Sequence, residues 1–221
     1  MVQQQLLDLF NQSYEFTGFI STGNEIVVSA LQDFVHQFTH IYGGHLAGKS
    51  HLLKAWVNLA NQRAKQAIYL DAGQVQGSLS DLIDEDRDRF IAIDNVDSLS
   101  DQQQIQLFDL FNHIKLHDKG NYLLTSATLN LNNKSFREDL KTRIYSGVIL
   151  NLKSLDDIEL MNALTIYTKR EGLKFGEAEI AYLLKYYTRN LGQLIALINK
   201  VGKFALIEKK NITIQLIKNC M

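Results

Sequence analysis

Five short runs along the chain have the hydrophobic pattern of strands: "HIYG" at 40–43, "AIYLD" at 67–71, "RFIAID" at 89–94, "NYLLTS" at 121–126 and "GVILNL" at 147–152. Four of them are nearly continuously apolar, as parallel strands buried on both faces are. Stretches with helical spacing of apolar positions lie between them, at about 24–38, 49–65, 101–117 and 135–144. The resulting β-α-β-α-β order predicts a doubly wound α/β sheet. After about Leu155 the strand pattern stops. "DDIELMNALTIYTKREG", "GEAEIAYLLKYYTRN", "LGQLIALINKVGKFALIEKK" and "TIQLIKNCM" all read as helices. Asp156 and Thr213 are suited to start helices and Gly172 to stop one. The division expected is an N-terminal peptide at 1–12, an α/β core at 13–154 and a small helical bundle at 155–221.

Composition narrows the function classes. The chain has 221 residues, 46% hydrophobic and 21% charged, with a net charge of -1. Such a balance provides no global basic field to draw it to nucleic acid. Cys220 is the single cysteine, which excludes an internal disulfide and suits a reducing compartment. No apolar run reaches the length of a membrane span, and "MVQQQLLDLF" lacks the basic region and apolar core of a signal peptide. A cytoplasmic location is expected. His36/His40 and His113/His117 have the i, i+4 spacing of a helical metal pair, but no third ligand accompanies either, so they read as surface histidines. The tail "KFALIEKKNITIQLIKNCM" reads as a solvated helix face.

The chemistry begins at "IYGGHLAGKS". Gly43-x-x-x-x-Gly48-Lys49-Ser50 has the fixed letters of a phosphate-binding loop, with a strand before it and a helix after it. Backbone N–H groups, Gly44 among them, and the helix N-terminus face the phosphates. Lys49 supplies charge to the outer phosphates, and Ser50 is a magnesium ligand. "FIAIDNVDSL" supplies the second part, an apolar strand ending in Asp94, where a carboxylate holds magnesium through water. The bland alternatives are a Gly-rich turn with an exposed lysine and an aspartate that caps a turn. The next position, a second acid in many ATPases of this class, is Asn95, whose amide cannot accept a proton as a carboxylate does.

With these residues in view, the chain resembles the AAA+ module of the bacterial replication initiator DnaA. Within that family it is most similar to the shorter Hda-type regulators that inactivate the initiator. The resemblance runs through almost the whole chain. Phe16-x-x-Phe19-x-x-x-Gly23-Asn24 matches the segment before the family's adenine-contacting helix. "YGGHLAGKSHLL" resembles its phosphate loop, His51 included, and "IDNVDSL" its magnesium strand. "FREDLKTRI" resembles the segment that carries an arginine finger, which falls on Arg143. "YTRNLGQLIALINKV" resembles the lid helix, with Arg189 at the nucleotide-sensing arginine. Gly192 falls where an Hda-type arginine is also expected. "Gln4-Gln-Leu-Leu-Asp-Leu-Phe10" resembles sliding-clamp-binding peptides, in which Leu7, Leu9 and Phe10 would enter an apolar cleft and Gln4 make polar contacts. A frayed terminal helix is the alternative there.

The resemblance implies ADP or ATP with magnesium as ligands, and the initiator DnaA and the DNA polymerase sliding clamp as partners. A homo-oligomer is left open. The chain stops where the initiator continues into its DNA-binding domain, so no direct sequence-specific DNA binding is expected. Three departures bear on turnover. Leu46 stands where the family has glycine, at a steric cost if its φ is positive. Asn95 replaces an acid, and Ala127 stands where a polar sensing residue is usual, with Thr125 and Ser126 as substitutes. Together they imply weak or no ATPase in cis and an arginine acting on a partner's ATP. A self-contained ATPase of helicase-loader type and a nucleotide-free interaction module are the alternatives, and an Arg143–Asp139 salt bridge is the alternative role for Arg143.

Overall fold

The computed structural model describes residues 14–75, 78–82, 89–117, 120–128, 130–132 and 136–221. The candidate clamp residues Gln4, Leu7, Leu9 and Phe10 lie outside this set. The chain divides into two compact units, one ending at Ser154 and one beginning at Leu155.

The first unit is built on five strands: β1 (Phe38–Tyr42), β2 (Gln66–Asp71), β3 (Arg89–Asp94), β4 (Tyr122–Ala127) and β5 (Val148–Asn151). All pairings are parallel, in the order β2-β3-β4-β1-β5. Parallel neighbours need crossovers, and helices supply them. Alternation along β3 shows how the sheet is buried on both faces. Phe90 and Ala92 join one core with Val27 and Leu31 of α1 (Glu25–Gln32) and Leu52, Leu53 and Trp56 of α2 (Lys49–Gln62). Ile91 and Ile93 join the other with Leu107, Leu110 and Ile114 of α3 (Asp101–His117) and Leu140 and Ile144 of α4 (Glu138–Tyr145). The near-continuous apolar runs in the sequence follow from this double burial.

Two expected elements are shorter than their apolar pattern. The helix expected at 24–38 ends at Gln32, because Phe34 has φ 49° and cannot continue a right-handed helix. Its ring is instead used as a plug against Trp56 and Phe90. The helix expected to 65 ends at Gln62, two residues before Ala64 at φ 56°. His40 is a correction of another kind. It is no surface histidine on a helix but lies in β1 at 1% exposure.

The second unit is wholly helical: α5 (Asp157–Arg170), α6 (Glu177–Tyr186), α7 (Leu191–Glu208) and α8 (Ile214–Cys220). Its own core includes Leu160, Leu164, Ile180, Leu183, Leu194 and Ile217. Its punctuation follows the sequence. Asp156 and Glu159 form a reciprocal capping box, Thr213 accepts from the Leu216 N–H, and Gly172, at φ 67°, follows the end of α5.

Candidate nucleotide site and arginine helix

The sheet order places β4 between β1 and β3, so the loop leaving β1 and the acid ending β3 meet around the end of β4. This carboxyl edge is where open α/β sheets bind ligands. The Gly43 N–H donates to the Ala127 carbonyl, tying the loop to β4. Gly43 cannot carry a side chain, since a Cβ there would stand 2.4 Å from the Leu152 carbonyl oxygen. Gly48, at φ 93°, caps α2, and a Cβ on it would meet the Phe19 ring at 2.7 Å. Leu46 has φ 64° and a side chain 56% exposed. The steric cost foreseen for it is therefore present, about 1–2 kcal/mol relative to glycine, with little burial to offset it.

Lys49 is buried. Its Nζ donates to the carbonyls of Gly43 at 2.7 Å and Gly44 at 2.9 Å. Burial pulls its pKa below the ordinary lysine value, and the charges of Asp94 and Asp97 oppose that shift. The ammonium is thus held inside the loop by the loop's own backbone. Two of its three protons are used, and the third remains for a phosphate.

Asp94 is fully buried and both its oxygens are engaged. Oδ2 accepts from the Tyr69 hydroxyl at 2.9 Å. Oδ1 accepts from the Asn95 N–H at 3.1 Å and from the Ser126 hydroxyl. Burial, and then the Asp94 charge, push the Tyr69 pKa above the ordinary tyrosine value, so it stays protonated. The hydroxyl takes one lone pair of Asp94 Oδ2 and leaves the other for a water or an ion. Among the described residues no group of three or more His, Cys, Asp or Glu is arranged to hold a metal.

The three weak points for turnover have definite geometry. Asn95 adopts a left-handed conformation at φ 56° and donates from Nδ2 to Asp71 Oδ1 at 2.9 Å. Asp97 does not replace the missing acid, since its Oδ2 accepts from the Thr128 N–H at 3.0 Å. Ala127 is buried and brings no polar group, while Ser126 is committed to Asp94 and Thr125 to His40 Nδ1 at 2.8 Å. His40 Nε2 has no hydrogen-bond partner. Burial lowers the His40 pKa to about 4, against an opposing pull from Asp97.

The segment before α1 packs onto the loop. His51 donates from Nε2 to the Glu15 carbonyl at 2.9 Å and sits between the rings of Tyr14 and Phe19. Burial lowers its pKa. The contacts it makes are with this segment rather than with the phosphate loop. Asn24 Nδ2 donates to the Lys153 carbonyl at 3.0 Å, and the Lys153 N–H donates to Asn24 Oδ1 at 2.9 Å.

Arg143 lies near the end of α4, half-buried. Its guanidinium stands over the Phe108 ring at 5.3 Å. It makes no ion pair with a described residue. Asp139, the expected alternative partner, pairs with Arg137 at 2.8 Å. In the helical unit, Arg189 pairs with Asp157. Gly192 lies in the first turn of α7, whose N-cap Asn190 accepts from the Gln193 N–H at 3.0 Å.

Tyr69 was not among the residues singled out from the sequence. A tyrosine inside an apolar strand was the available signal, since a buried hydroxyl needs a partner.

Residues 157–221 match the family model described as the Hda lid domain. An uncharacterized protein of Haemophilus influenzae is 27% identical over 213 residues, covering 92% of this chain and 91% of that one. Domain III of the Thermotoga maritima replication initiation protein DnaA superposes with a TM-score of 0.73 at 20% identity, covering 96% of both chains. AMPPCP-bound DnaA from Aquifex aeolicus superposes with a TM-score of 0.68 at 25% identity, covering 90% of this chain and 69% of that one.

Proposed function

We propose, from the premise that this chain is a DnaA/Hda-like AAA+ protein with an Hda-type lid, that it regulates initiation of DNA replication. It holds an adenine nucleotide and stimulates ATP hydrolysis by the initiator DnaA. Gly43, Gly44, Gly48 and Lys49 take the phosphates of ADP or ATP, and Arg189 of the lid serves as sensor. The DnaA of Aquifex aeolicus, a structural neighbour, carries AMPPCP. Ser50 and Asp94 would hold the magnesium ion that accompanies the nucleotide, Asp94 through the lone pair that Oδ2 keeps beside its hydrogen bond from Tyr69. Turnover in cis is weak. The Asn95 amide is tied to Asp71 and cannot act as a base, and Asp97 accepts from the Thr128 N–H.

Arg143 is the observation that carries the reading. An arginine kept for structure alone would pair with the acid one turn away, but Asp139 is taken by Arg137. Arg143 rests on an aromatic face instead, where a guanidinium keeps its in-plane donors. Supplied to a neighbour's ATP, such a group stabilises the charge that develops on the transferring phosphoryl. Tethering to the sliding clamp through Gln4, Leu7, Leu9 and Phe10 raises its local concentration near the initiator on DNA.

The test is initiator ATP hydrolysis in the presence of clamp loaded on DNA. Wild-type protein is expected to stimulate it, and protein lacking residues 1–10 to lose both stimulation and clamp pull-down. Absence of stimulation by the wild type sinks the regulatory reading. Intrinsic turnover abolished by Lys49→Ala would favour a self-contained ATPase instead.

A further inference from the structure

We infer that the helical unit carries a stacking platform for single-stranded nucleic acid, built from Tyr182, Tyr186 and Tyr187 and rimmed by Lys185 and Lys218. The inference stands apart from the nucleotide-holder reading of the 43–50 loop and needs no sequence-specific contact.

Charge is the first part of the argument. The net charge of -1 conceals a split along the chain. Residues 155–221 carry ten lysines and arginines against seven acids, whereas residues 1–154 carry thirteen against seventeen. The helical unit is therefore cationic in a chain that is not, and a local positive field attracts a polyanion without a global one.

Geometry is the second part. Tyr182 and Tyr186 stand one turn apart on α6, with ring centroids 4.8 Å apart and planes inclined at 34°. Lys185 Nζ lies over the Tyr186 ring at 5.1 Å, and Lys218 Nζ, from α8, over the Tyr182 ring at 5.7 Å. Tyr186 is 57% exposed, and Tyr187, the residue after α6, is 41% exposed. Three tyrosines within six residues, flanked by two cations, make a patch rather than a scattered exposure. Both lysines are exposed, and neither pairs with an acid among the described residues. The acids of α6, Glu177 and Glu179, lie in its first turn, at the far end from Lys185. Asp157, which lines a groove with Lys185, is paired with Arg189. No acid lies on α8.

Rings and cations so arranged match one ligand chemistry. Every base has a π face that stacks on a tyrosine, and the phosphates joining the bases take the lysines. An acidic polypeptide would use the lysines and leave the rings idle.

The test is fluorescence anisotropy with the full-length protein and labelled oligo-dT and oligo-rU of about twenty nucleotides, beside a DNA duplex of the same length. Tighter binding of either single strand than of duplex supports the inference, and the two strands compared separate DNA from RNA. Equal or tighter binding of duplex overturns it, as does no binding at all. Tyr186→Ala is expected to weaken single-strand binding by about tenfold and Tyr186→Trp to restore it. Tyr145→Ala, at an exposed tyrosine outside the unit, should change nothing. Binding that Tyr186→Ala leaves intact overturns the platform. The double variant Lys185→Gln, Lys218→Gln should flatten the slope of log affinity against log salt by about 1.4, and an unchanged slope removes the lysines from it. Displacement of the strand by poly-glutamate as readily as by unlabelled dT overturns the inference in favour of an acidic protein partner.

Discussion

The carboxyl edge of the sheet and the arginine helix treat their charged groups in opposite ways. At the edge, each charge is locked to neighbours. Lys49 sits on two loop carbonyls, Asp94 has three donors, Asn95 is tied to the end of β2, and Asp97 to the residue after β4. On α4, Arg143 lies against a phenyl face without an ion pair to a described residue. A locked constellation suits retention of a ligand. A guanidinium without an ion pair among the described residues suits action on something outside the chain. The difference separates holding from catalysis within one unit.

The sharpest way to break this contrast is at Arg143. Arg143→Ala is expected to lower stimulation of the initiator's ATPase by about a thousandfold, worth about 4 kcal/mol. Its own ADP affinity should stay unchanged, and its thermal midpoint should fall by only a few degrees as the contact with Phe108 is lost. Equal stimulation by variant and wild type, in the same clamp-loaded assay, would remove the finger from the account.

At the tied end, acid should loosen the sheet. The His40 imidazole is neutral when folded, with its pKa lowered to about 4. An unfolded imidazole, with its pKa near 6.5, takes a proton first. Stability from this group is therefore complete above about pH 6.5, falls toward pH 4 and levels off below it, a span of about 3 kcal/mol. Urea unfolding as a function of pH measures it, and His40→Leu should flatten that part of the profile. Next in size is Lys49→Ala, expected to weaken ADP binding by about 2 kcal/mol, roughly thirtyfold, in isothermal titration. Leu46→Gly is the smallest. Relief of the positive φ outweighs the added chain entropy, for a net gain of at most about 1 kcal/mol. In a domain of this size that raises the thermal midpoint by about 2–4 °C.

The sheet and the helical unit were legible because double burial and capping leave local marks. The apolar runs around residues 69 and 92, the Asp156–Glu159 box and Gly172 are such marks. The phosphate loop was legible because its glycines answer a steric demand, at Gly43 from Leu152 and at Gly48 from Phe19. What stayed hidden depends on distant pairing. Nothing near residue 69 states that its hydroxyl meets an acid 25 positions away, and nothing near Asp139 states that Arg137 rather than Arg143 takes it. His40 misled for the same reason. Its i, i+4 spacing from His36 looks helical, but the chain between them has already left the helix at Gln32.

The pairing of Asn24 with Lys153 has a consequence for the order in which the molecule assembles. A side-chain amide here copies a peptide group, donating to one backbone carbonyl and accepting from the same residue's N–H, across 129 positions of chain. Such a contact closes a very long loop and gains nothing until β1 and β5 are side by side. The segment from Tyr14 to Asn24 is therefore fastened onto a finished sheet. The Lys153 amide serves as a latch whose hydrogen exchange reports when that fastening opens.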